Sequence, residues 1–301
     1  MKKFKSLIAL VLTLALTLTF VTGCGGSEAN SAADSNANAG SESDTEAVEG
    51  GEETPQFDNV TIKIGASVTP HAELLREAEP ILAKEGITLD IVELEDVVTP
   101  NTGVADGSLD ANFFQHVPFL DSFNSENNTD LVSIGATHYE PFGLYAGKSD
   151  DLSKIQKGAK IGVPNNSTNE ARALLLLQDN GILKLKDGAG LTATKNDIEE
   201  NPYNIEIVEL EAAQVARVTN EAAFVVLNGN YALEAGFSVA KDSVAYEASD
   251  SEAAKTYVNV IAVKEGNENN DGIKALVSVL KSDAIKDYIN STYDGAVVPF
   301  D

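Results

Sequence analysis

A single cysteine, Cys24, stands in a chain of 301 residues. A disulfide needs two, so the fold must be held by its core alone. Basic residues are also scarce: 21 Lys and Arg face 47 Asp and Glu, a formal charge of -26. Nucleic acid and anionic lipid surfaces would repel such a chain, which excludes both as partners of its folded part. The means of catalysis are thin, with no G-x-S-x-G elbow and no glycine-rich phosphate or dinucleotide fingerprint. Paired carboxylates could serve glycoside hydrolysis, but in so acidic a chain they read as a solvated face. The expectation is a protein that is not an enzyme and holds no cofactor. Histidine is limited to His71, His116 and His138. With one carboxylate they could build a four-ligand zinc site, yet none stands at H-x-x-H or H-x-x-x-H spacing. Each is read as a packing or hydrogen-bonding histidine, and no metal is expected.

What is present begins with an export signal: Lys2, Lys3 and Lys5, an uncharged apolar run from Leu7 to Phe20, then Val21-Thr-Gly-Cys24. The run is short for a transmembrane helix of roughly 20 residues, and its end resembles the lipobox of bacterial lipoproteins. Residues 1–23 are therefore read as a signal peptide and Cys24 as the lipidated N-terminus of the mature chain, held on the extracytoplasmic face of the cell membrane. From Gly25 to Gln56 there is no aromatic residue and no Lys or Arg. Such a segment cannot bury enough apolar surface to offset chain entropy. Residues 24–56 are expected to be a disordered tether with an end-to-end distance of roughly 30 Å.

Strand and helix periods alternate through the remainder. Val60 to Gly65 reads as a strand, His71 to Glu85 as a helix that Pro80 should kink or break, and Thr88 to Leu94 as a second strand. The order then returns: Lys160-Ile-Gly-Val-Pro164 echoes Lys63-Ile-Gly-Ala-Ser67, and Ile207-Val-Glu-Leu-Glu211 repeats Ile91-Val-Glu-Leu-Glu95. Between the second pair, Ser167-Thr-Asn-Glu170 reads as a capping box opening a helix through Gln178. Glu221 to Leu227 and Tyr257 to Val263 are further strands, and Gly272 to Tyr293 is a terminal amphipathic helix or two. This pattern predicts an α/β fold of two lobes with a ligand cleft between them. Lobe one would comprise 57–139 plus 246–301 and lobe two 140–245, with a hinge near Pro141 and Gly143.

The cleft has chemically apt candidates. Phe114, His116 and Phe119 lie in a stretch that carries four phenylalanines between Phe113 and Phe123 beside Asn112 and Gln115. A buried strand followed by a helix would account for the rings alone, whereas a pocket for a small amphipathic molecule needs rings and amides together. Arg172, read as lying in the first turn of its helix beside Asn169, could hold a carboxylate together with the helix amides. Asn228 and Asn230, after a strand, could bind an ammonium or carboxylate while forming an ordinary Asn-Gly-Asn turn.

Several long motifs in one order carry a family resemblance: Asp110 to Leu120, Glu140-Pro-Phe-Gly-Leu-Tyr145, Val163 to Gln178, Gly181 to Gly188 and Asn228-Gly-Asn-Tyr-Ala232. From about Val60 to the C-terminus the chain resembles the NlpA-type family of methionine-binding lipoproteins. The resemblance implies a periplasmic-binding-protein-like fold and a monomeric substrate-binding protein that delivers L-methionine to the permease of an ABC importer. It further implies that Arg172 pairs with the ligand carboxylate, that Asn228 holds its polar end, and that Phe114, His116 and Phe119 line the side-chain pocket. Arg172→Ala would then remove binding and leave the fold intact. Two positions depart from the family: Phe119 stands where tyrosine is frequent, and Val97 stands where an aromatic often precedes the V-x-P-N turn. A missing ring would remove a sulfur–aromatic contact of about 0.3–1.5 kcal/mol. Another apolar amino acid, a short methionine-containing peptide, a metal-binding receptor and a surface adhesin without transport are the other readings.

Overall fold

The computed structural model describes residues 55–300. The signal peptide, the lipidated Cys24 and nearly all of the tether therefore lie outside the described residues. Along the chain the strands are β1 (Val60–Ala66), β2 (Ile87–Glu93), β3 (Ala111–His116), β4 (Leu131–Tyr139), β5 (Gly143–Ala146), β6 (Lys160–Pro164), β7 (Lys184–Leu185), β8 (Ile198–Glu200), β9 (Glu206–Leu210), β10 (Phe224–Leu227), β11 (Ser243–Tyr246), β12 (Val258–Lys264) and β13 (Val298–Pro299). They build a six-stranded sheet in the order β13-β4-β12-β3-β1-β2 and a five-stranded sheet in the order β11-β5-β10-β6-β9, with β7 and β8 as a small pair.

The sequence echoes have a structural counterpart. Ile64 of β1 lies opposite Ile91 of β2, and Ile161 of β6 lies opposite Ile207 of β9, both in parallel pairs. Equivalent residues of the repeated motifs thus share one register. From the parallel edge, β2-β1-β3-β12-β4 matches β9-β6-β10-β5-β11 strand for strand, and in each sheet the fourth strand runs antiparallel to the third. That fourth strand is borrowed. β12 reaches the larger sheet from the end of the chain, and β5 enters the smaller one directly after the first crossing. The crossings are Glu140 to Phe142 outbound and Glu247 to Tyr257 on return.

Helices α1 (Glu73–Lys84), α2 (Thr99–Asp106), α3 (Val117–Asn127), α4 (Ser167–Asp179), α5 (Ala212–Val215) and α6 (Gly229–Glu234) follow strand ends or turns that face the cleft. Three local expectations change. Pro80 does not interrupt α1, because it sits on the exposed face and the carbonyl it would have engaged belongs to the exposed Arg76. His71 belongs to a wide turn over Val68–Ala72 ahead of α1, not to the helix. The cap of α4 is Asn166, whose side chain accepts from Asn169 N, in place of Ser167. Glu170 instead accepts from Lys195 N at 2.9 Å. The terminal stretch forms two helices, Asp271–Leu280 and Asp283–Thr292. Among the described residues no helix is long and apolar enough to cross a membrane.

Each sheet has its own core. Ile64, Leu75, Phe113, Ile261 and Leu276 centre the first, and Phe142, Ile161, Leu174, Phe224 and Val226 the second. β12 is buried at every position from Val258 to Val263, as expected of a strand packed on both faces.

Candidate ligand-binding site

The C-terminal ends of β3, β6 and β10 face one cavity, the place where parallel α/β sheets hold ligands. Phe114, His116, Phe119, Asn169, Arg172, Asn228 and Asn230 all line it. Its two walls differ chemically. The larger sheet supplies rings, with Phe114 and Phe119 edge to face at 5.9 Å and Val97 packed in the same cluster. The smaller sheet supplies amides and a guanidinium.

His116 ends β3 and caps α3: its Nδ1 accepts from Phe119 N at 3.2 Å. The proton of the neutral ring therefore sits on Nε2, which donates across the cleft to Asn169 Oδ1 at 3.1 Å. Burial, then the Arg172 charge, lowers the His116 pKa to about 3, so the ring is neutral at pH 7. Asn169 Oδ1 also accepts from Asn228 Nδ2 at 3.1 Å. This chain leaves Asn228 Oδ1 buried with no partner among the described residues. A buried unmet acceptor costs about 1–3 kcal/mol.

The other amides of the β3 stretch have a different task. Gln115 Nε2 donates to Asn101 Oδ1 at 2.6 Å and Asn112 Oδ1 at 2.9 Å, and Asn101 Nδ2 returns to Gln115 Oε1 at 2.8 Å. These bonds knit β3 to α2. The strand thus serves both readings, its amides bracing the scaffold while His116 enters the cavity.

Arg172 departs from the sequence-based placement. It lies in the second turn of α4, not the first. Its guanidinium is buried and grips a carboxylate of its own chain: Nε donates to Glu247 Oε1 at 2.8 Å and Nη2 to Glu247 Oε2 at 2.5 Å, with Nη2 also reaching Glu140 O at 3.0 Å. Burial opposes both charges. Their pairing outweighs it, raising the Arg172 pKa above its ordinary range and lowering that of Glu247. Glu247 Oε2 further accepts from Tyr139 Oη at 2.6 Å and Phe142 N at 3.0 Å. One carboxylate therefore ties α4 to both crossings. Nη1 of Arg172 enters none of these bonds, and the residue still lines the cavity.

Glu140, Asn259 and Gly229 also line the cavity and were not singled out from sequence, although Glu140 opens one of the family-like motifs. A Cβ on Gly229 would stand 2.6 Å from Glu140 Cβ, so glycine is what allows the first crossing to approach α6. Beside the cavity, His71, His138 and Glu140 place one ligand-capable atom each within 4.8 Å of one another. His138 Nε2 and Glu140 Oε1 are 2.8 Å apart. That is hydrogen-bond spacing, closer than the roughly 3.3 Å between ligands bound tetrahedrally at ~2.0–2.1 Å from zinc.

Two lobes, a cleft at the strand ends and paired sites for opposite charges define a ligand-binding protein of the periplasmic-binding type. The NlpA lipoprotein profile matches residues 62–300. The chain belongs to that family. It is 68% identical to a lipoprotein of known structure from Ruminococcus gnavus ATCC 29149, with a TM-score of 0.80 over 80% of this chain and 99% of that one. A nutrient-binding protein from Burkholderia cenocepacia, solved bound to methionine, is 40% identical with a TM-score of 0.75 over 79% of this chain and 99% of its own. An ABC transporter periplasmic substrate-binding protein from Coxiella burnetii is 37% identical, TM-score 0.75, over 79% and 100%.

Proposed function

We propose that the protein captures free L-methionine in this cleft and hands it to the permease of an ABC importer, acting as a monomer anchored through lipidated Cys24. The orphaned Asn228 Oδ1 carries the reading. A buried acceptor without a donor, in a cavity also lined by Arg172 with Nη1 uncommitted, complements the ammonium and carboxylate of one amino acid. Phe114, Phe119 and Val97 offer the apolar end for a thioether, and Asn169 and Asn230 complete the polar wall. The role is binding without chemistry, in keeping with the family.

The lobes divide as 57–139 with 246–301 against 140–245, a reading the two sheets support except at Tyr246, which belongs to β11 of the smaller sheet, and closure turns on the crossing near Pro141 and Gly143. Native mass spectrometry of the purified chain without its first 24 residues is expected to retain one methionine. Calorimetric titration of the stripped protein should then saturate with L-methionine, and a D-methionine titration reads the stereochemical preference. Folded protein that binds no methionine would move the ligand to another apolar amino acid, with Val97 as the first residue to exchange. Small-angle scattering should show contraction on adding methionine. Identical profiles with and without bound ligand would remove the hinge.

A further inference from the structure

The cleft is flanked by two seams that the internal repeat makes equivalent. β1 and β3 of the larger sheet correspond to β6 and β10 of the smaller one. On one flank α3, which follows β3, packs against α4, which follows β6. On the other, α6, which follows β10, packs against the Val68–Ala72 turn, which follows β1. The two contacts match in position and differ in chemistry. Along the α6 seam, Leu233 packs against the core cluster that contains Ile64 and Tyr293, and Val239, just past α6, is buried within it. Tyr231 Oη adds a bond to Glu95 O at 3.1 Å. Along the α3–α4 seam no apolar cluster crosses: Phe119 and Phe123 belong to one and Leu174 and Leu177 to another, with no shared member among the described residues. What crosses there is polar. Ser122 Oγ and Ser167 Oγ stand 3.0 Å apart at the surface, and deeper in His116 bonds Asn169.

We propose that the ligand enters and leaves through the α3–α4 seam alone, while the α6 seam stays shut and forms, with the crossings, the fixed side of the cleft. Parting the α6 seam would put Leu233 and Val239 in water and lose their apolar burial with nothing in exchange. Parting the α3–α4 seam replaces hydroxyl and amide bonds by bonds to water, and at a wet surface that exchange is nearly neutral. Very little holds the outer edge of this seam. Ser122 Oγ donates to Glu126 Oε1 at 2.7 Å, so its one hydrogen is committed within α3 and the bond across the seam is a single donation from Ser167.

The asymmetry sorts the residues of the cavity. A rigid sheet that turns about the α6 side carries α4 furthest, so Asn169 and Arg172 draw away from His116 and Phe119 as the seam opens. Asn228 and Asn230, at the start of α6, stay close to Glu140, which Gly229 already meets. The incoming molecule therefore meets the amides of α6 as a standing wall, and α4 closes over it.

The inference rests on the methionine reading for its ligand, and the test separates the two. The chain without residues 1–24 carries no cysteine and keeps every described residue. Ser122→Cys combined with Ser167→Cys in that chain places two sulfurs where hydroxyls lie 3.0 Å apart, within reach of a disulfide. Formed on the empty protein, the bond should slow uptake of radiolabelled L-methionine by roughly 100-fold or more. Formed on the loaded protein, it should hold methionine through dialysis until a reductant is added, as native mass spectrometry reads. On the opposite flank Lys241 Nζ and Asp294 Oδ2 are 3.1 Å apart. Lys241→Cys combined with Asp294→Cys, joined by a short bismaleimide, should leave uptake and release close to the parent's. Unchanged exchange with the α3–α4 disulfide in place, or equal arrest by both bridges, overturns the proposal. So does a double variant at Ser122 and Ser167 that fails to oxidise with methionine bound. If methionine does not bind the parent, the ligand reading fails by itself, and thiol labelling of the folded protein decides. Ser167→Cys should react with iodoacetamide roughly 100-fold faster or more than Val239→Cys, and equal rates would show that the α6 seam parts as readily as the other.

Discussion

Arg172→Ala is expected to lower the stability of the ligand-free protein by about 3–5 kcal/mol, the usual cost of breaking a buried ion pair from one side. The Glu247 side chain is only 9% exposed and would keep Tyr139 Oη and Phe142 N as partners but lose its counter-charge. For a domain of this size that is a fall of roughly 6–20 °C in melting temperature. This revises the expectation from sequence that alanine there would leave the fold intact. Methionine affinity should collapse as well, and the two losses can be separated. The double variant Arg172→Met, Glu247→Leu removes both charges and should regain part of the stability, since apolar replacement of a buried pair is often neutral while Tyr139 Oη and Phe142 N lose their acceptor. It should not regain binding, because the Nη1 donors are gone. Urea unfolding and calorimetry on the same samples decide. A double variant that binds methionine like the parent would show that Arg172 serves the hinge alone.

Asn228→Ala should behave in the opposite way. The side chain makes no cap bond for α6, and its Oδ1 has no partner among the described residues. Alanine would remove only the bond to Asn169, so the ligand-free melting temperature should change little. Affinity for methionine should fall roughly 10- to 100-fold, the value of one hydrogen bond to a charged group. A drop in ligand-free stability matching the loss in affinity would make Asn228 a structural residue.

Much of this was legible before any coordinates. Alternating periods located β1, β2, β10 and β12 to within a few residues, since a strand with a buried face must alternate and a doubly buried one must run apolar. The candidate residues converge on one cavity because ring-and-amide mixtures and strand-terminal asparagines are local signals. What escaped notice were pairings across long separations. Nothing around Glu247 marks it as the partner of Arg172, 75 residues away, and His71 meets Asn259 across 188 residues. In a chain with 47 acidic residues Glu247, whose side chain is 9% exposed, looks like all the others. The cap of α4 went astray for a smaller reason: Asn166 and Ser167 are both good caps, and only the end of β6 at Pro164 decides between them.

The two crossings have a mechanical meaning. Tyr139 and Phe142 flank one, Glu247 begins the other, and a single carboxylate holds them side by side. A body joined to another at one point can swivel in every direction. Joined along a line, it can only swing like a door. On the proposed hinge the two sheets are joined along a line, so their far rims would separate while the rivet at Glu247 hardly moves. That leaves the rims, far from the rivet, as the surface on which another protein could read whether the door is open or shut.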